Sequence, residues 1–155
     1  MGGALSSLFD FVACAPIHAA RGAGFSVNID DYFLGLERRL RKIAGGQIAA
    51  PVNCLASDDD NGVLRCRVSF WDGSYLDIYE VATTELGYPV RVYYAYTYLR
   101  EGVRVFRYDN APHHPEIITH PHHKHIGPTD RLAPADPPAL SQVLEEVDTW
   151  LRKNE

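Results

Sequence analysis

Cysteine is scarce and irregularly spaced in this chain of 155 residues: Cys14, Cys54 and Cys66 are odd in number and share no metal-ligand spacing. That argues against a disulfide framework and against a thiolate metal site, and it favours a reducing cytoplasm. Long apolar runs are missing too. None reaches the roughly 18–20 residues that a membrane-spanning helix needs, so no membrane partner is expected. An excess of basic charge is absent; the net charge is −5, which gives no overall sign of nucleic-acid binding. There is no internal repeat and no His-Glu-x-x-His helix pattern. With 46% hydrophobic and 23% charged residues, the balance is that of an ordinary globular chain, long enough for one domain with a real core.

The N-terminal stretch "MGGALSSLFDFVACAPIHAA" has the apolar character and small residues of an export signal, but no Lys or Arg precedes its apolar part and Asp10 interrupts it. Residues 1–25 are therefore expected to be an extension, either mobile or a short helix, ahead of a single domain over residues 26–155.

Periodicity supplies the elements of that domain. Tyr32, Leu36, Leu40 and Ile43 mark one face of a helix that starts near Asp30 or Asp31 and stops at Gly45-Gly46. Two-residue alternation follows, with Leu64, Cys66, Val68 and Phe70 against Arg65, Arg67 and Ser69. Asp72-Gly73 in "WDGSY" is a hairpin signal, and "SYLDIYEVATTE" reads as the returning strand. "YPVRVYYAYTYL" and "VRVFRYD" are two further strands, and "HHKHIG" is a candidate short edge strand. A proline-rich connector, "GPTDRLAPADPP", leads to a last helix with Asp136 as N-cap, Pro137 in first position and Leu140, Val143, Leu144, Val147 and Leu151 as its apolar stripe. The expected fold class is α+β: an antiparallel meander of about four to five strands, with an N-terminal and a C-terminal helix packed on one face.

Six of the seven histidines lie between His113 and His125. They sit in the only net-positive region: residues 91–125 carry 5 Lys/Arg against 3 Asp/Glu, residues 1–90 carry 7 against 11, and residues 126–155 carry 3 against 6. Alternation sends Arg107 and Asp109 to one face of their strand and Phe106 and Tyr108 to the other. Asp77 and Glu80 fall on opposite faces and form no carboxylate pair. Cleaving RNA through its 2′-hydroxyl needs a base, an acid and cations around the transition state. Paired histidines supply the first two, Arg107 or Lys124 could hold the phosphate, and Asp109 could orient an imidazole. The alternative is metal binding: His123 and His125 share one side of an extended segment, and His113, His114, His123 and His125 together form a candidate set for a divalent ion such as Zn or Ni. The tyrosines of "YYAYTYL" offer stacking surfaces, although Tyr94, Tyr96 and Tyr98 share the spacing of sheet packing.

The run "FRYDNAPHHPEIITHPHHKHIG" resembles the TumE-type toxins of prokaryotic toxin–antitoxin modules. The matching residues are Arg107, Tyr108, Asp109, Asn110, Ala111, Pro112, His113 and His114, then, after a spacer, Pro121, His122, His123, Lys124 and His125. "GSYLDIYEVA", "YYAYTYL" and the closing "LSQVLEEVDTWL" agree in place and pattern, so the resemblance spans residues 30–152. Residues 1–25 lie outside it, and His120 stands where an aromatic residue is common. The resemblance implies a small cytoplasmic toxin paired with an antitoxin that carries a helix-turn-helix DNA-binding domain. The family name does not itself fix an activity. The residues point to a metal-independent ribonuclease without cofactor, in which His113, His114, His123, His125 and Asp109 do the chemistry, with His114 and His123 as the acid–base pair. Arg107, Lys124, Tyr108 and Asn110 would bind substrate. Under the alternative reading the histidines bind a metal or a partner without catalysis, and a tyrosine-rich strand at a sheet edge makes a homodimer an option.

Overall fold

The computed structural model describes residues 27–43, 53–129 and 131–153. The expected extension over residues 1–25 and the stop at Gly45-Gly46 lie outside the described residues. Asn28 accepts the Asp31 amide at 2.8 Å and so caps helix α1 (Ile29–Ile43), whose first turn holds Asp30 and Asp31. Its buried stripe is Ile29, Phe33, Leu36 and Leu40, one helical period throughout. Tyr32 lies beside that stripe rather than in it, and donates its hydroxyl to Glu80 at 2.8 Å.

Seven strands follow in chain order, each antiparallel to the last, in one sheet. They are β1 (Asn53–Ala56), β2 (Asn61–Ser69), β3 (Tyr75–Thr83), β4 (Val90–Arg100), β5 (Val103–Asp109), β6 (His123–Ile126) and β7 (Leu132–Pro134). The meander is as expected, but it has more strands than the four to five anticipated. Short β1 and β7 carry too few residues to show alternation, and prolines break the pattern around β6 and β7. The segment read as an edge strand is in fact internal, because β6 pairs with β5 on one side and with β7 on the other. Pro134 can end β7 because that strand is the outer one. The β2–β3 turn uses Gly73 at φ 80°, and Asp72 accepts the Ser74 amide and hydroxyl.

Helix α2 runs from Leu140 to Arg152. Its start is later than Asp136-Pro137 predicts, and Pro138 explains why: a residue before proline is pushed out of the helical region. Ala139 takes the N-cap position, and its amide donates to the Gln142 side chain at 2.8 Å.

Both helices cover the same sheet face. Leu64, Val68, Leu76, Ile78, Tyr96 and Phe106 pack with Phe33 and Leu40 of α1 and Val143 and Val147 of α2 in a single core. Helix α1 lies so close to β2 that a Cβ on Gly62 would come within 2.6 Å of the Phe33 ring. Tyr94, Tyr96 and Tyr98 are all buried on this face, as the spacing predicts. Buried Glu80 accepts hydroxyls from Tyr32 and Tyr96, and Arg91 bonds both the Tyr96 oxygen and the Pro138 carbonyl at 2.8 and 2.7 Å. The opposite face, bearing Arg65, Tyr79, Thr97, Arg107 and His125, carries no helix among the described residues.

Candidate active site: four imidazoles around a buried aspartate

The site begins with register. Asp109, the last residue of β5, pairs with His123, and Arg107 pairs with His125, so the sheet face away from α1 and α2 receives all four side chains. Asp109 has 0% exposure, which demands partners for its charge. Arg107 Nε donates to its Oδ2 at 2.7 Å and the Ala111 amide to its Oδ1 at 3.0 Å. His123 Nε2 stands 3.3 Å from Oδ1 and His125 Nε2 3.4 Å from Oδ2. Burial pushes the Asp109 carboxyl up, but the Arg107 bond, the Ala111 amide and the charges of Arg107 and His123 outweigh it and hold the group below the usual carboxylate range.

His123 is 1% exposed. Its Nδ1 lies 2.9 Å from the Pro121 carbonyl, which can only accept, so Nδ1 carries the proton and Nε2 faces the site. There Nε2 meets His125 Nε2 at 3.1 Å. Burial pushes the His125 imidazole down to about 4, the Asp109 charge opposing only in part, so the ring is neutral at pH 7. Its Nδ1 is buried and, among the described residues, has no hydrogen-bond partner.

The second histidine pair comes from the loop between β5 and β6. Asn110 extends the sheet past the end of β5: its Oδ1 accepts the Tyr94 amide at 2.8 Å and its Nδ2 donates to the Val92 carbonyl at 3.0 Å. Thr119 Oγ1 bonds the His122 carbonyl and the Ala135 amide, which ties the far end of the loop to the chain beyond β7. The loop thereby folds back over the open face. The His113 ring lies 4.7 Å from that of His123, and the His114 ring 5.1 Å from it. His114 Nδ1 lies 3.1 Å from Glu116 Oε1, which accepts its proton and leaves Nε2 free for other chemistry. Burial lowers the His113 pKa. His113 is exposed and His114 half-buried, so these two rings form the accessible side and His123 and His125 the back.

His113, His114, His123 and His125 each offer a nitrogen, and these atoms lie within 4.8 Å of one another. The donor set fits a borderline-soft divalent ion such as Zn or Ni. The 3.1 Å between the two Nε2 atoms is close to the edge of about 3.3 Å that a tetrahedral zinc with bonds of about 2.0 Å would have. The Pro121 carbonyl and the Glu116 carboxylate occupy the outward nitrogens in the way that second-shell groups orient metal ligands.

Other residues singled out by the sequence lie apart from this centre. Lys124 and Tyr108 point to the helix side, where Lys124 Nζ and the Tyr108 hydroxyl bond the Glu146 carboxylate of α2 at 2.6 and 2.7 Å. His122 also faces that way, stacked on Tyr94 with its Nδ1 3.1 Å from the tyrosine hydroxyl. His120 is exposed and holds the His114 carbonyl. Sequence reasoning missed two supporting groups, Glu116 and the Pro121 carbonyl. Tyr93, out of phase with Tyr94, Tyr96 and Tyr98, was legible as a stacking surface but not as the group whose hydroxyl accepts from Arg107 at 3.4 Å. A cavity of about 370 Å³ lined by Val103, Ile126 and Trp150 lies at the other end of β5 and contains none of the histidines.

Among the described residues, no helix is long and apolar enough to cross a membrane. No curated protein and no solved structure gives a match to this chain. The family model described as Toxin TumE matches residues 39–153, from α1 through the whole sheet and the four-histidine centre to the end of α2. The chain therefore belongs to the TumE toxin family.

Proposed function

We propose that this toxin is a cytoplasmic ribonuclease acting by histidine acid–base catalysis, held in check by an antitoxin that carries a helix-turn-helix DNA-binding domain. The observation that carries the reading is the convergence of two histidine pairs, the rear pair closed to solvent against a buried carboxylate and the front pair more accessible. Neutral His113 takes the proton of a ribose 2′-hydroxyl, and the 2′-oxygen attacks the adjacent phosphorus. The imidazolium form of His114, oriented by Glu116, protonates the departing 5′-oxygen. The products are a 2′,3′-cyclic phosphate and a 5′-hydroxyl. Arg107 keeps N–H groups for the phosphate beyond those it gives to Asp109 and Tyr93. His123 and His125 are positioning residues that fix the accessible rings from behind.

Purified protein incubated with labelled single-stranded RNA tests this. Cleavage leaving cyclic phosphate, unaffected by chelator and reduced roughly 10²–10⁴-fold by His114→Ala, is the expected result. Intact RNA with the parent protein overturns it.

A second reading is favoured by the four close nitrogens, with the Nε2 atoms of His123 and His125 3.1 Å apart: the centre holds a transition-metal ion, with Asp109 behind it. Elemental analysis of untagged protein separates the two. One equivalent of metal, with activity lost on chelation and restored by that metal, selects this second reading.

A further inference from the structure

The sheet face that carries no helix among the described residues does not end at the histidines. Register lines up two cross-strand rows: Arg65–Tyr79–Ala95–Asp109–His123, and beside it Arg67–Asp77–Thr97–Arg107–His125. Each row begins with arginine on β2 and ends in an imidazole of the site on β6. Tyr79 stands three strands from His123, about 14 Å at the usual strand spacing, a distance that a few nucleotides bridge. On the β2–β3 side the two residue types interleave. The Arg65 guanidinium lies 4.9 Å from the Tyr79 ring, and Arg67 lies 4.0 Å from the Tyr75 ring. Tyr79 meets Tyr93 edge-on at 5.6 Å, and Tyr93 in turn receives Arg107. The aromatic stripe is thus continuous from β3 to the phosphate-holding arginine of the site.

We propose that this face is the docking platform for the single-stranded RNA that the centre cleaves, with Tyr79 and Tyr93 stacking on bases and Arg65 holding the backbone. This deepens the ribonuclease reading and rests on it. The charge supports an anionic occupant: the chain as a whole is −5, yet the two rows carry Arg65, Arg67 and Arg107 against Asp77 and the buried Asp109. Arg67 is already clamped by Asp77 at 2.6 and 2.8 Å, whereas Arg65 is exposed and, among the described residues, has no carboxylate within ion-pair distance. Tyrosine faces accept any base, and interleaved arginines add charge without sequence readout, which is the pattern of single-strand binding surfaces. Aromatic side chains in adjacent strands, Tyr79 on β3 and Tyr93 on β4, present that pattern on the sheet face. Duplex RNA offers no splayed bases to such a surface, so the platform selects single strands.

The test keeps binding apart from cutting. In the His114→Ala background, fluorescence anisotropy with a labelled single-stranded RNA compares the unmodified platform with Tyr79→Ala, Tyr79→Phe and Arg65→Ala, each checked for an unchanged circular dichroism spectrum. Binding weakened roughly fivefold to a hundredfold by Tyr79→Ala, and preserved by Tyr79→Phe, is expected. Arg65→Ala should weaken binding and flatten its salt dependence, and duplex RNA of the same sequence should bind less well. Cleavage by the parent together with undiminished RNA binding in Tyr79→Ala and Arg65→Ala overturns the platform and leaves the ribonuclease reading standing. RNA bound through these residues but not cleaved by the parent supports the platform and removes the chemistry. Variants that bind RNA normally but dissolve a dimer or lose antitoxin binding assign the face to a protein partner and overturn the proposal.

Discussion

His123 and Asp109 face each other across β5 and β6, paired in register, with Nε2 of the imidazole 3.3 Å from the carboxylate and both groups closed to solvent. The histidine stands behind His113 and His114, which are the more accessible rings. Its Nδ1 is held by the Pro121 carbonyl, so it sets the geometry of the rings in front of it.

Removing the carboxylate should therefore damage both fold and site. Asp109→Ala leaves the partly buried Arg107 and the two rear imidazoles without their common partner. A loss of about 3 kcal/mol is expected, read as a lower urea midpoint with unchanged slope. Growth arrest should disappear as well.

Acid should weaken the fold in a defined window. The His125 pKa is about 4 in the folded chain and about 6.5 when unfolded, so between these values the unfolded chain binds more protons. Stability is complete above about pH 6.5 and falls as pH drops toward 4. The depressed Asp109 carboxyl adds a further loss below about pH 3.9. Urea titrations across pH in the presence of chelator check this; His125→Gln should flatten the slope between pH 4 and 6.5, and an equal slope in both proteins would refute it.

Lys124 provides a control inside the motif. Because it bonds Glu146 on the helix side, Lys124→Met should keep RNA cleavage within a few-fold of the parent while lowering stability by about 1 kcal/mol. A large loss of cleavage in a normally folded variant would place Lys124 in the chemistry instead.

Gly62→Ala should destabilise by about 1–3 kcal/mol, since the added carbon would press on the Phe33 ring and the Leu55 carbonyl. Thermal melts check it, with His114→Ala as a comparison that leaves the melt unchanged.

Much of this architecture could be read from local chemistry. The alternation of Leu64 to Val68, the Asp72-Gly73 turn and the tyrosine phase in β4 each specify a strand or a hairpin by themselves. The strands that escaped are those whose existence depends on neighbours: Leu132–Pro134 becomes a strand only because β6 offers it a partner. For the site, period two correctly joined Arg107 with Asp109 and His123 with His125. The same rule sends Tyr108, and with it Lys124, to the opposite face, yet their place in a contiguous motif kept both among the substrate-binding candidates. The approach of His113 and His114 could not be read at all, since it depends on Asn110 and Thr119 folding the loop back onto the sheet.

The most direct test of the account is the RNA of cells in which the toxin is induced. Growth arrest should coincide with RNA fragments ending in 2′,3′-cyclic phosphate, and the His114→Ala protein, made at equal level, should give neither arrest nor fragments. Arrest by both proteins alike, with intact RNA, would contradict it.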